Sequence, residues 1–158
     1  MINQRVDRLN QLLAIKENST QQASGHWTMV RNQFAQGKAK LDQLLDYRQE
    51  YMQQLQTLGN KGCGVDRIRN RIEFIAQLDV AISQLTQHLA QLAKRRSECE
   101  KTFLRAKADQ DVVKRLIERA KLQQSDRLAR IEQKESDEYA QKQWYSKNSA
   151  TKNKKRSD

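Results

Sequence analysis

Hydrophobic residues recur along the first part of the chain in alternating steps of four and three, and thirteen of the seventeen slots are apolar. A spacing of this kind keeps one stripe facing a partner helix when the two helices supercoil left-handedly. The pattern therefore predicts one long coiled-coil helix. Its slots hold Ile2, Val6, Leu9, Leu13, Lys16, Thr20, Ala23, Trp27, Val30, Phe34, Gly37, Leu41, Leu44, Arg48, Tyr51, Leu55 and Leu58.

The first stripe stops at residues 59–64, where three of the five glycines of the chain fall within six positions. Glycine ends helices and builds tight turns, so this segment is the predicted turn. A second stripe starts at Ile68, Ile72 and Ile75 and takes a three-residue step to Leu78, which resembles a stammer. It runs on through Ile82, Leu85, Leu89, Leu92, Arg96, Cys99, Phe103 and Ala106, and more weakly through Val113, Ile117, Ala120 and Ile131.

Two apolar stripes joined by a short loop can bury each other when the chain folds back on itself. The sequence thus predicts an all-α fold, a long antiparallel two-helix coiled-coil hairpin over residues 1–145 with its turn at 59–64. The arms are unequal, at about 87 Å and about 120 Å for a rise of 1.5 Å per residue, so the second helix should overhang beyond about residue 121. Residues 146–158, basic and polar, are expected to form a disordered tail.

Composition supports this fold and argues against an enzyme. The chain has no proline, 6% aromatic and 37% hydrophobic residues, which suits a narrow seam better than a thick core. Neither an apolar run long enough to span a membrane nor a signal peptide is present, which favours the cytoplasm.

No catalytic, cofactor-binding or metal-binding motif stands out among the residues. His26 and His88 have no second ligand at a recognisable spacing, and the glycines form no phosphate-binding loop. Cys63 and Cys99 would lie about 54 Å apart along a helix, so both are expected to be reduced.

The net charge of +11 does not by itself indicate a class of partner. Basic residues cluster at residues 94–96 and 152–156, and Glu98 and Glu100 closely follow the first cluster. We expect a solvated helix face and a solubilising tail, or else recognition of an acidic protein, ahead of nucleic acid or a membrane surface.

Both helices carry more apolar residues near the turn than one seam requires. Either a widened seam buries them, or they form an exposed docking patch, for which tyrosine and phenylalanine are well suited. The residues concerned are Leu44, Tyr47 and Tyr51 in the first helix and Phe74, Leu78, Ala81 and Leu85 in the second.

Residues 40–55, KLDQLLDYRQEYMQQL, resemble the flagellar FliJ protein family, mainly through the core Asp-Tyr-x-x-Glu-Tyr. Residues 74–85, FIAQLDVAISQL, and residues 130–142, RIEQKESDEYAQK, follow in the family's order. The likeness extends over nearly the whole chain.

This resemblance implies a non-enzymatic component of the flagellar type III export apparatus, cytoplasmic and peripherally associated with the inner membrane at the flagellar base. Its implied partners are the export ATPase hexamer, the membrane export gate protein and flagellar substrate chaperones. The late segment at residues 130–142 would serve chaperone or ATPase contacts. The residues of this chain that match the family's patch for binding the gate protein are Leu44, Tyr47, Tyr51, Phe74, Leu78 and Ala81.

Three alternatives remain at this point. A virulence type III secretion stalk has a similar shape, a generic coiled-coil scaffold would form larger parallel assemblies, and a coiled-coil nucleic-acid binder would lose affinity steeply with salt.

Overall fold

A computed structural model describes residues 2–62 and 64–156, with the side chains of Ile2 and Asn3 left undescribed. Two α-helices account for nearly all of this, α1 at Ile2–Asn60 and α2 at Val65–Arg156. They pack against each other as a helical hairpin, and the described residues contain no strand. The predicted fold class is confirmed.

The turn lies where the glycines predicted it. α1 runs through Gly59 to Asn60, and Gly62 has a φ of 65°, a left-handed conformation that glycine adopts without steric cost. Gly64 begins the second arm, and its carbonyl accepts hydrogen bonds from the backbone N–H groups of Arg67 and Ile68. Cys63 lies outside the described residues, so its predicted reduced state stays a prediction.

The α1 stripe is confirmed from Val6 to Leu58, because every predicted slot in that range is buried or half-buried. The polar or small occupants Lys16, Thr20 and Gly37 also lie in the seam. Ile2 belongs to the undescribed side chains.

The α2 stripe needs a correction near its start. Ile72 is 52% exposed, whereas Arg71 is half-buried in its place. The predicted stammer is therefore wrong. The series keeps strict steps of three and four through Gln124 and includes Gln110, a buried residue that the predicted stripe did not contain. Ile131 lies exposed beyond the end of the series. The heptad spacing decided which side chain faced α1, and the long aliphatic stem of arginine allowed it to sit there.

The chain divides into two compact units. In the unit formed by Lys16–Ala108, Val30 is the most deeply buried side chain, and the rings of Trp27 and Phe103 stack with centroids 5.4 Å apart. In the other unit, the seam of α2 is formed by Val113, Ile117 and Ala120. Cys99 is buried with a free thiol.

The overhang of α2 is present in the structure. Gln124 is the last half-buried residue, and all side chains from 125 to 156 are exposed. The expected disordered tail differs from the structure, in which α2 continues without a break to Arg156. The segment from Ser146 to Arg156 holds neither proline nor glycine, so no residue there interrupts the helix.

Candidate partner-binding site

The six candidate residues near the turn divide into seam residues and residues beside the seam. Leu44 and Tyr51 occupy half-buried seam slots of α1, and Leu78, at 7% exposure, occupies a buried slot of α2. The other three each precede a seam residue by one position. Of these, Ala81 is half-buried, Tyr47 is 44% exposed and Phe74 is 38% exposed.

Tyr51 and Phe74 join the two helices directly. Their ring centroids lie 4.5 Å apart with an interplanar angle of 36°. The register that this contact sets places Tyr47 level with Leu78 and Leu44 level with Ala81, because antiparallel helices advance in opposite directions by equal steps. The six candidates therefore form three successive cross-helix levels.

Residues that immediately precede a seam slot lie on one side of the hairpin in both helices. This follows because two antiparallel helices are related by a twofold axis perpendicular to their common plane. Tyr47, Phe74 and Ala81 share this side, which we call the Tyr47 side. Residues that immediately follow a seam slot, such as Met52 and Ile72, lie on the opposite side.

Grooves open along the Tyr47 side. One of about 550 Å³ is lined by Glu98 together with His26 and Arg95, whereas two others have no acidic residue in their lining. The smaller of these two, of about 480 Å³, is lined by Tyr51 and Phe74 together with Arg67 and Arg71. The larger, of about 700 Å³, is lined by Lys40, His88 and Arg95 among other residues. Basic residues and apolar rings thus stand side by side on this surface.

Two arginines contact the opposite helix at this site, and the apolar pattern alone did not indicate either contact. The Arg71 guanidinium lies 5.7 Å from the centre of the Tyr51 ring and donates a hydrogen bond to Gln54 Oε1. Arg48 Nε lies 2.5 Å from Asp79 Oδ1 in an ion pair between the helices. The strict heptad count was the signal that would have found Arg71, since it leads from Ile68 to residue 71.

The described residues offer little chemistry beyond binding. Among them, no group of three His, Cys, Asp or Glu side chains comes together as a metal site. His26 and His88 are both exposed. Neither helix, over its described length, contains a stretch apolar enough to cross a membrane.

Comparison with protein families gives a match to the family described as flagellar FliJ protein, over residues 4–149. The chain belongs to the flagellar FliJ family. The match covers nearly all of both helices, including the site near the turn and most of the overhang. Comparisons with curated proteins and with solved structures gave no match.

Membership of the FliJ family makes this a protein related to flagellar export and places it in a non-enzymatic family. The resemblance seen in the sequence is therefore confirmed at the level of the family.

Proposed function

We propose that this FliJ family member is the stalk-like component that couples the flagellar export ATPase ring to the membrane export gate and escorts substrate chaperones. It would act in the cytoplasm, held at the periphery of the inner membrane at the flagellar base by its partners. A packed pair of helices suits this task, because it transmits position along its length better than a flexible linker does.

The observation that carries the proposal is the surface around Tyr47 and Phe74. Both rings are exposed although they lie beside a seam that has its own apolar residues. Aromatic residues dominate the binding energy of many protein interfaces because they bury a large area at a small entropic cost. This surface supports a docking role for the hairpin near its turn.

The charges around the rings indicate what kind of surface the gate protein would present. Arg67 and Arg71 line the smaller of the two grooves without acidic lining, and Lys40 and Arg95 line the larger. Glu98 lines the adjoining groove of about 550 Å³. Complementary charges steer association and fix the register of an interface. We expect an apolar segment flanked by acidic residues to occupy these two grooves of the Tyr47 side.

The test is a double substitution, Tyr47→Ala with Phe74→Ala, in the full chain. Loss of a central aromatic anchor removes about 2 kcal/mol of binding free energy, so the Kd for the cytoplasmic part of the gate protein should rise at least about thirtyfold. Isothermal titration calorimetry measures the Kd, and far-UV circular dichroism checks that helicity is kept.

The chain offers a matched control on the opposite side, Met52→Ala with Ile72→Ala. These two residues are also exposed and apolar, and they lie at a similar level of the hairpin. The control should leave the Kd within about twofold, as expected for residues outside an interface. Equal losses in both double variants would reject the Tyr47 side as the docking surface.

Stimulation of the export ATPase is the second arm of the test. A stalk should raise the hydrolysis rate of the ATPase ring, and the Tyr47 and Phe74 double variant should keep that effect because its defect lies at the gate. A scaffold that only self-associates would leave the rate unchanged.

A further inference from the structure

The last turns of α2 are rich in basic residues. From Tyr139 to Arg156 the chain has six basic residues and no acidic residue. All the side chains of this segment are exposed. The basic residues are Lys142, Lys147, Lys152, Lys154, Lys155 and Arg156.

Two large aromatic side chains stand in the middle of this basic segment. Trp144 and Tyr145 are both highly exposed, and their rings meet edge to face with centroids 5.2 Å apart. Each has an apolar ring body and one polar group. Side chains of this type are enriched where membranes meet water, because one end prefers hydrocarbon and the other prefers the headgroup layer.

Helical spacing brings the aromatic pair and part of the basic segment to one face. Lys155 follows Trp144 by eleven residues, which is close to three full turns. Lys152 and Arg156 follow Tyr145 by seven and eleven residues, close to two and three turns. The helix therefore presents one face with two aromatic rings at its start and three cations at its end. We call it the Trp144 face, formed by Trp144, Tyr145, Lys152, Lys155 and Arg156.

We propose that the Trp144 face binds directly to the surface of an anionic phospholipid bilayer. The cations would contact headgroup phosphates, and the two rings would enter the layer between headgroups and acyl chains. This goes beyond the proposed function, because the contact requires neither the gate protein nor the ATPase.

The geometry favours a bilayer over nucleic acid. A protein that holds single-stranded nucleic acid offers open ring faces on which bases stack. Here the planes of the two rings are inclined at 78°, so successive bases that lie parallel to one another could not stack on both rings. A bilayer accepts such a pair without rearrangement, because burying the rings in the interface requires no stacking partner.

Binding of the full chain to vesicles tests the proposal. The chain should sediment with vesicles of phosphatidylglycerol and phosphatidylcholine in equal parts, and should stay free with phosphatidylcholine alone. Binding should weaken as salt is raised, since the anionic surface is screened. The triple variant Lys152→Gln, Lys155→Gln, Arg156→Gln should bind about 100-fold more weakly, at roughly fivefold for each cation near the surface.

A control with the same net charge separates the Trp144 face from general attraction. Lys38, Lys94 and Lys101 are exposed residues of the other compact unit, and their triple change to Gln also removes three charges. This variant should keep vesicle binding within about threefold of the wild type, because its charges lie outside the contact. If it loses as much binding as the first variant, the proposal is overturned in favour of non-specific charge attraction.

The second measurement follows the aromatic rings. Lipids brominated on the acyl chain should quench Trp144, whereas Trp27, stacked on Phe103 in the seam, should not be quenched. Substitution of Trp144 by Phe should then abolish the quenching. Absence of quenching in the wild type, or binding to a single-stranded oligonucleotide with no binding to vesicles, would also overturn the proposal.

The two proposals fail separately. The Tyr47 and Phe74 double variant should bind vesicles like the wild type, and the Lys152, Lys155 and Arg156 triple variant should bind the gate protein like the wild type.

Discussion

Leu89 occupies the space that a side chain at Gly37 would need. A Cβ atom added to Gly37 would lie 2.7 Å from Leu89 Cδ2, and Leu89 itself is buried in the seam. The Leu89 side chain fits there because Gly37 has no side chain. Gly37 is therefore a packing residue of the hairpin, although glycine is a poor helix former.

Substitutions at Gly37 and Gly25 should separate packing from helix propensity. Gly25→Ala meets no atom within 4 Å and should stabilise the protein by about 0.5–1 kcal/mol, because alanine favours helix. Gly37→Ala should gain less, since Leu89 must move, and Gly37→Leu should cost about 1–3 kcal/mol through overpacking. Urea unfolding measures each change. A Gly37→Leu variant as stable as the wild type would show that the helices separate freely there.

Gly62 should be the glycine of the turn that tolerates substitution least. Its φ of 65° costs an alanine about 1–2 kcal/mol, so Gly62→Ala should lower the free energy of unfolding by that amount. Asparagine tolerates this conformation better, and Gly62→Asn should recover part of the loss. Gly59→Ala is the control, because Gly59 is helical and has open space beside it. The prediction is wrong if both alanine variants unfold at the same urea concentration.

Arg71 should contribute more to stability than Ile72, although hydrophobicity alone would predict the reverse. Ile72→Ala should change stability by less than about 0.5 kcal/mol, as is usual at exposed positions. Arg71→Ala should cost about 1–2 kcal/mol, because it removes the packing of the arginine stem and its contacts with Tyr51 and Gln54. Thermal unfolding of the two single variants compares them directly, and a larger loss in Ile72→Ala would reject the heptad register.

Much of the fold was predictable because one simple rule governs it. The alternation of three and four predicted every described seam slot of α1, including Lys16 and Thr20, whose side chains alone would not suggest burial. The prediction of Ile72 as a seam residue was wrong because it departed from this alternation in favour of the more hydrophobic residue. Gln110 is buried although it is polar, because the alternation of three and four residues places it in the seam.

The candidate site was predictable as a set of residues but not as a surface. Sequence spacing identified Tyr47, Tyr51, Phe74 and Leu78 together, yet exposure depends on which residue is level with which across the seam. That register is set by contacts such as Tyr51 with Phe74, which join positions far apart in the sequence. The helical end of α2 was missed for another reason, since a polar composition describes solubility and does not by itself exclude a helix.

The seam arginines also favour pairing of α1 with α2 of the same chain over parallel pairing of two chains. Arg48 faces Asp79, Arg71 reaches Tyr51 and Gln54, and the Arg96 guanidinium lies 4.4 Å above the Phe34 ring. In a parallel assembly of two chains in register, each arginine would instead oppose its own copy, so that like charges would meet at three levels. Each of the three side chains has a partner on the other helix in the folded-back chain and would meet a like charge in the parallel pair. We therefore expect them to favour the folded-back single chain over parallel association with a neighbour.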